Sequence, residues 1–119
     1  MNSRQSSRVQ SLAGPLVYFV GDALPDLQIE LDYESGGPVV LTDSTVTVSV
    51  ARLKGTTTVK TGTVTLTDAN HGFAVFEWGA FRFGSPGTYI GQVRITFDSG
   101  APLSSQKFLI EVVEKVPGL

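Results

Sequence analysis

The chain has 119 residues, a net charge of −2 at pH 7, a charged fraction of 17% and no cysteine. This length corresponds to one domain, and such a domain can bury a core without covalent staples. The lack of cysteine excludes disulfides, thiolate metal sites and a cysteine nucleophile. The low charge argues against a nucleic-acid partner, because such partners usually require a basic face.

Residues 1–14 come first, and their composition predicts a flexible arm. They are rich in Ser, Gln and Arg and have no apolar periodicity. They are too polar for a signal peptide, and no apolar run in the chain is long enough to span a bilayer. We therefore expect a soluble protein that is made and used without export. Arg4 and Arg8 in the arm are candidates for contacts with a neighbouring subunit.

From residue 15 onward, apolar and polar residues alternate with a period of two. This pattern is typical of strands with one buried and one solvent-exposed face. The intervening segments contain the Gly, Pro, Asn and Asp residues of turns, and no window has a helical apolar pattern. The alternation predicts about seven strands, at 15–20, 27–33, 45–53, 58–67, 73–78, 88–97 and 106–114. Short strands with regularly spaced turns predict an all-β, antiparallel sandwich over residues 15–119.

Two turns contain residues with predicted structural roles. Tyr89 follows a Gly-Pro corner and begins a late strand, as does the tyrosine of the tyrosine corner in Greek-key sandwiches. Its hydroxyl is expected to bond a nearby backbone group and pin the crossing. Gly87 precedes it, and Gly72 ends another turn, where glycine can adopt a positive φ. We expect all three residues to be structural.

The segment 73–83 is rich in aromatic residues on both faces of its predicted strand. One interpretation is a central strand, or a loop over one end of the sandwich, with its rings in the core. The other is an exposed aromatic patch that marks a protein interface. The candidate interface residues of this segment are Phe76, Trp78, Phe81 and Phe83.

Catalytic motifs are missing from the sequence. His71, the only histidine, lies in a Gly-containing turn, and no G-x-S-x-G motif or phosphate-binding loop occurs. Glu30 and Asp32 share the solvent face of one strand and could serve glycoside hydrolysis or calcium binding, but such pairs are routine on a polar face. The sequence predicts a non-enzyme with no catalytic residue, cofactor or metal site.

Every charged residue between Asp22 and Asp43 is acidic. The stretch 22–43 is either a solvated edge or an acidic docking surface, and the sequence leaves both interpretations open.

An ordered set of short motifs resembles a known family. The motifs are Val20–Leu27 (VGDALPDL), Pro38–Thr42 (PVVLT), Thr45–Val48 (TVTV), Val64–Asp68 (VTLTD), Gly72, Phe76, Trp78, Gly87-Thr88-Tyr89 and Phe108–Val112 (FLIEV). Over residues 17–113 this set resembles the phage baseplate upper protein N-terminal domain family.

The resemblance implies an immunoglobulin-like β-sandwich in the virion of a tailed bacteriophage, made in the host cytoplasm. It implies a structural adaptor in the tail, baseplate or head–tail region that acts by contacts with other virion proteins. We expect a homo-oligomer or attachment to a symmetric ring, with no nucleic-acid or membrane partner.

The alternative function is a carbohydrate-binding or adhesion module. Sandwiches of this kind bind sugars through exposed aromatic side chains, and the candidates are Tyr33, Trp78 and Phe81.

Overall fold

Ten strands and one short 3-10 helix are present in the computed structural model, which describes residues 7–11, 16–33, 36–55, 57–105 and 107–118. The strands are β1 (Ser7–Ser11), β2 (Leu16–Phe19), β3 (Leu27–Tyr33), β4 (Ser44–Arg52), β5 (Thr58–Thr63), β6 (Thr65–Asp68), β7 (Phe73–Phe76), β8 (Gly87–Phe97), β9 (Pro102–Ser104) and β10 (Phe108–Val113). The 3-10 helix is Ala69–His71.

The strands form two sheets. One has the order β1-β3-β7-β6, and the other has the order β2-β10-β8-β4-β5 with β9 added beside β8. All the pairings are antiparallel except that of β2 with β10, which is parallel. The immunoglobulin sandwich divides its strands in this way, with A, B, E and D in one sheet and C, F and G in the other. The predicted immunoglobulin-like sandwich is therefore confirmed.

Alternation produces the core, because every second side chain of each strand points at the facing sheet. In β3 the inward residues Leu27, Ile29 and Leu31 are each at most 4% exposed. Val48 in β4 and Ile95 in β8 face them from the other sheet and are fully buried. Each such side chain contributes about 1.5–3 kcal/mol on burial, so the two inner faces hold the sheets together.

The predicted strand 58–67 is two strands in different sheets. β5 pairs with β4, whereas β6 pairs with β7 in the facing sheet. The chain crosses at Val64, which is buried and donates its backbone N–H to the Val46 carbonyl at 2.9 Å. The period of two runs through this crossing without interruption, so the sequence pattern carries no sign of it.

The predicted flexible arm requires a correction over residues 7–11. These residues form β1, which pairs antiparallel with β3 from Ser7–Tyr33 to Ser11–Ile29. The segment has one apolar residue, Val9, so no periodicity could reveal it, and strand pairing through the backbone needs none. Residues 1–6 and 12–14 of the predicted arm lie outside the described residues.

Candidate protein-binding surface

The aromatic segment 73–83 lies mostly in the core. Phe76, Trp78 and Phe83 are 1%, 0% and 1% exposed, so their predicted role as exposed interface residues is corrected: these side chains lie in the core. Phe81 is half-buried and stacks on Trp78 at a ring-centroid distance of 5.9 Å. The segment comprises β7 and most of the connection from β7 in one sheet to β8 in the other, and its rings pack in and against the core.

Tyr18 of β2 completes this aromatic cluster. Its ring meets Trp78 edge-on at 5.8 Å and stacks with Phe83 at 6.0 Å. Burial raises the pKa of the Tyr18 hydroxyl above its ordinary value, and an interaction with Trp78 opposes this by a smaller amount. The interaction with Trp78 is a weak contact between its indole N–H and the Tyr18 hydroxyl. Among the described residues, this buried N–H has no acceptor at standard hydrogen-bond geometry.

Tyr89 and two glycines build the corners of the fold. The Tyr89 hydroxyl donates to the Ser85 carbonyl at 2.8 Å, which is the bond of a tyrosine corner. Gly72 has φ 77°, and a Cβ there would clash with the Leu31 carbonyl, so this turn requires glycine. Gly87 has φ 141° and lies against the Arg52 guanidinium, which also covers the Tyr89 ring at 5.1 Å.

Of the two arginines predicted to contact a neighbouring subunit, the structure describes one. Arg4 lies outside the described residues. Arg8 lies in β1, and its Cα is opposite Asp32 of β3 in the strand register. Arg8 therefore lies on the edge strand of the four-stranded sheet.

Among the described residues of the stretch 22–43, four acidic side chains lie in different places and do not form one surface. Asp22 makes an ion pair with Lys115 at 2.9 Å near the end of β10. Glu30 and Asp32 instead line a cleft of 290 Å³ on the other sheet, together with Tyr33 and Phe73. Asp43 belongs to neither group, since it lies in the turn before β4.

His71 also lines this cleft, and its Nδ1 contacts the Asp68 carboxylate at 2.9 Å. Among the described residues, no three His, Asp or Glu side chains are close enough together to hold a metal ion. The same part of the chain contains no helix long and apolar enough to cross a bilayer.

An apolar surface that the sequence analysis missed lies on the outer face of β2 and β10. Four side chains there are well exposed: Val17 at 53%, Phe19 at 45%, Leu109 at 59% and Val113 at 36%. In the register Phe19 is opposite Val113, and Val17 is opposite Glu111. We name Val17, Phe19, Leu109 and Val113 the outer patch. A signal for it exists in the sequence, because these apolar residues occupy alternate positions that polar residues usually fill.

Comparisons with known proteins support only the fold. No family model matches the chain, and no curated protein matches it. Among solved structures, CopC from Methylosinus trichosporium OB3b has 14% sequence identity and a TM-score of 0.56 over 95% of this chain and 99% of that chain.

Two further structures have lower scores. The soluble domain of PmoD from Methylocystis sp. ATCC 49242 (Rockwell) has 17% identity and a TM-score of 0.46 over 94% of each chain. Murine CRIg has 11% identity and a TM-score of 0.42 over 96% of this chain and 100% of that chain. The likeness to CopC extends over almost the whole of both chains and, at 14% identity, is a likeness of fold alone.

Proposed function

We propose that this domain is a non-catalytic structural protein of a tailed-phage virion, an adaptor in the tail, baseplate or head–tail region that acts by protein–protein contacts. The motif resemblance over residues 17–113 supports the virion part of the proposal, and the sandwich fold is compatible with it. The observation that carries the docking role is the outer patch.

The outer patch favours protein binding because its members are grouped. Single exposed apolar residues are normal, but contiguous apolar groups on a soluble domain usually mark a contact surface. Phe19 and Val113 are neighbours across the β2–β10 pair, and β2 is the last strand of its sheet. Edge strands are usually protected by charged residues or proline, and β2, with the sequence Leu-Val-Tyr-Phe, contains neither.

Labelled electron microscopy of intact particles tests this proposal. Particles from a culture that makes the protein are decorated with an antibody against the chain. We expect label at a fixed position along the tail, baseplate or neck. Purified particles that lack the protein would contradict the virion role.

A substitution pair tests the docking surface in the same particles. Leu109→Asp places a charge in the outer patch, and we expect it to lower incorporation into particles at least tenfold. Val40→Asp is the matched control, because Val40 is 51% exposed and directly follows Pro38 and Val39, which pair with β3 in the other sheet. If both variants were incorporated equally well, the outer patch would not be the docking surface, although the protein would still be a virion component.

The carbohydrate-binding alternative keeps one supporting feature. Trp78 cannot stack on a sugar because it is fully buried, whereas Tyr33 and Phe73 are half-buried beside the two carboxylates of the 290 Å³ cleft. A glycan array distinguishes the functions. Binding that is abolished by Tyr33→Ala would favour the sugar site, and an array without binding would leave the docking proposal standing.

A further inference from the structure

The outer face of the larger sheet contains an apolar row that crosses three strands. Leu109 of β10 is opposite Ile90 of β8, and Ile90 is opposite Ala51 of β4. Leu109 is 59% exposed, and the other two are half-buried. The row runs perpendicular to the strands, because each member is the register partner of the next.

Two opposite charges flank this row at equal distances. Lys107 lies two residues before Leu109 and Glu111 lies two residues after it, and both are exposed. Lys107 lines an outer-face groove of 270 Å³ with Ile90 and Gln92, which places it on the same face as the row. Glu111 is held in place by the Thr88 hydroxyl, which donates to its Oε1 at 2.7 Å.

We propose that this face binds a second copy of the chain, with a two-fold axis along the row of Leu109, Ile90 and Ala51. Rotation about an in-plane axis perpendicular to the strands places β10 antiparallel over β10 of the second copy. Leu109 then packs on its own symmetry mate, as isologous contacts require.

The charges of β10 match under this rotation. Because Lys107 and Glu111 are equidistant from Leu109, each Lys107 meets Glu111 of the second copy, and two reciprocal ion pairs form. Gln92 and Thr88, on either side of Ile90 in β8, likewise meet each other. Gln92 Nε2 donates to the Ser105 carbonyl at 2.8 Å and has a second N–H, which the Thr88 hydroxyl oxygen of the second copy can accept. A strongly acidic or basic partner would favour charges of one sign here, whereas this strand carries one of each sign in a self-complementary order.

The size of the face limits the strength of such a dimer. Five strands at the usual spacing, over about six residues of length, measure roughly 20 by 20 Å. The flat area of that face is about 400 Å², which is below the roughly 600 Å² per partner that stable specific interfaces bury. We therefore expect a weak, reversible dimer. The Val17, Phe19 and Val113 side chains of the outer patch belong to two of these strands, β2 and β10.

This inference deepens the proposed function by naming one partner of the docking surface, and it is tested on the isolated full chain. Sedimentation velocity over a concentration series, up to about 1 mM, should show a reversible dimer. Leu109→Arg should abolish the dimer, and Val40→Arg, the matched control at an exposed valine elsewhere, should retain it.

Charge reversal tests the two-fold arrangement itself. Lys107→Glu and Glu111→Lys each create two like-charge contacts, and each should raise the dimer Kd by roughly tenfold to thirtyfold. The double variant restores both pairs and should return the Kd to within about threefold of the wild type.

Three outcomes would overturn the inference: a monomer throughout the concentration series, a dimer that survives Leu109→Arg, or a double variant no tighter than the single ones. A monomer that is nevertheless incorporated into particles would leave the proposed function intact and assign the outer face to a different protein.

Discussion

Two apolar regions of this molecule, the aromatic segment 73–83 and the outer patch, have opposite locations. The aromatic segment contains the largest rings, yet Trp78 is 0% exposed and Phe83 is 1% exposed. The outer patch is mostly aliphatic, yet Leu109 is 59% exposed. The difference shows that position in the alternation and in the sheet order decides exposure here, while aromatic content does not.

The largest expected effect comes from the aromatic segment. Trp78→Ala should lower the free energy of unfolding by about 3–5 kcal/mol, because it removes a fully buried ring that contacts several others. Urea denaturation followed by circular dichroism measures this loss. The matched control Phe81→Ala removes a half-buried ring and should cost less than half as much. Equal costs would contradict the assignment of Trp78 to the core.

Next in size is the tyrosine corner at the end of that segment. Tyr89→Phe keeps the ring but removes the hydroxyl that donates to the Ser85 carbonyl, and should cost about 1 kcal/mol. Thermal denaturation should show a melting temperature lower by several degrees. Tyr33→Phe, which removes a hydroxyl from a half-buried ring elsewhere, is the control, and an equal shift in both variants would argue against the corner bond.

A smaller effect on the free energy of unfolding should appear at high pH, through Tyr18. Its ring packs against the aromatic segment, and its strand β2 also carries Val17 and Phe19 of the outer patch. The pKa of Tyr18 is raised above 10.0, so the folded state holds this proton more tightly than the unfolded state. Its contribution to stability is complete below the unfolded pKa and is lost as the pH rises through the folded pKa. Unfolding free energies between about pH 9 and 11 should therefore fall more steeply in the wild type than in Tyr18→Phe. If the unfolding free energies of the two proteins fell equally with pH, Tyr18 would not be the group responsible for the loss of stability.

The smallest effect on stability is expected in the outer patch. Val17→Thr replaces a 53% exposed side chain by one of similar shape and should change the unfolding free energy by less than about 0.5 kcal/mol. Val48→Thr makes the same replacement at a fully buried position of β4 and should cost about 1–3 kcal/mol, since it buries a hydroxyl. A large loss from Val17→Thr would mean that the patch stabilises the monomer itself.

The sequence predicts those strands in which buried and exposed side chains alternate, because burial selects apolar residues at every second position. β3 matches its predicted range of 27–33, and β4 begins one residue before its predicted start. β1 escapes prediction because its pairing uses backbone groups, and the crossing at Val64 escapes because alternation is the same in either sheet. Short strands such as β9, with three residues, are too short to show a period.

The candidate surface is harder to predict for a different reason. Within 73–83 both faces of the strand are apolar, so the sequence alone could not decide between core and interface. In the alternation of β10, Leu109 and Val113 share the solvent-facing positions with Lys107 and Glu111. Apolar residues at solvent-facing positions are the only sign of the outer patch in the sequence. Whether such residues form one surface depends on which strands are neighbours, and only the sheet order shows that β2 lies beside β10.

The parallel pairing of β2 with β10 also has a mechanical consequence. Strand β2 lies near the start of the chain and β10 near its end, and both run in the same direction. A pull on the two ends of the molecule therefore draws these strands past each other along their length. Such a shear load acts on all the backbone hydrogen bonds between the two strands at once and does not break them one at a time. Once β1 has separated from β3, this pair resists further extension of the domain.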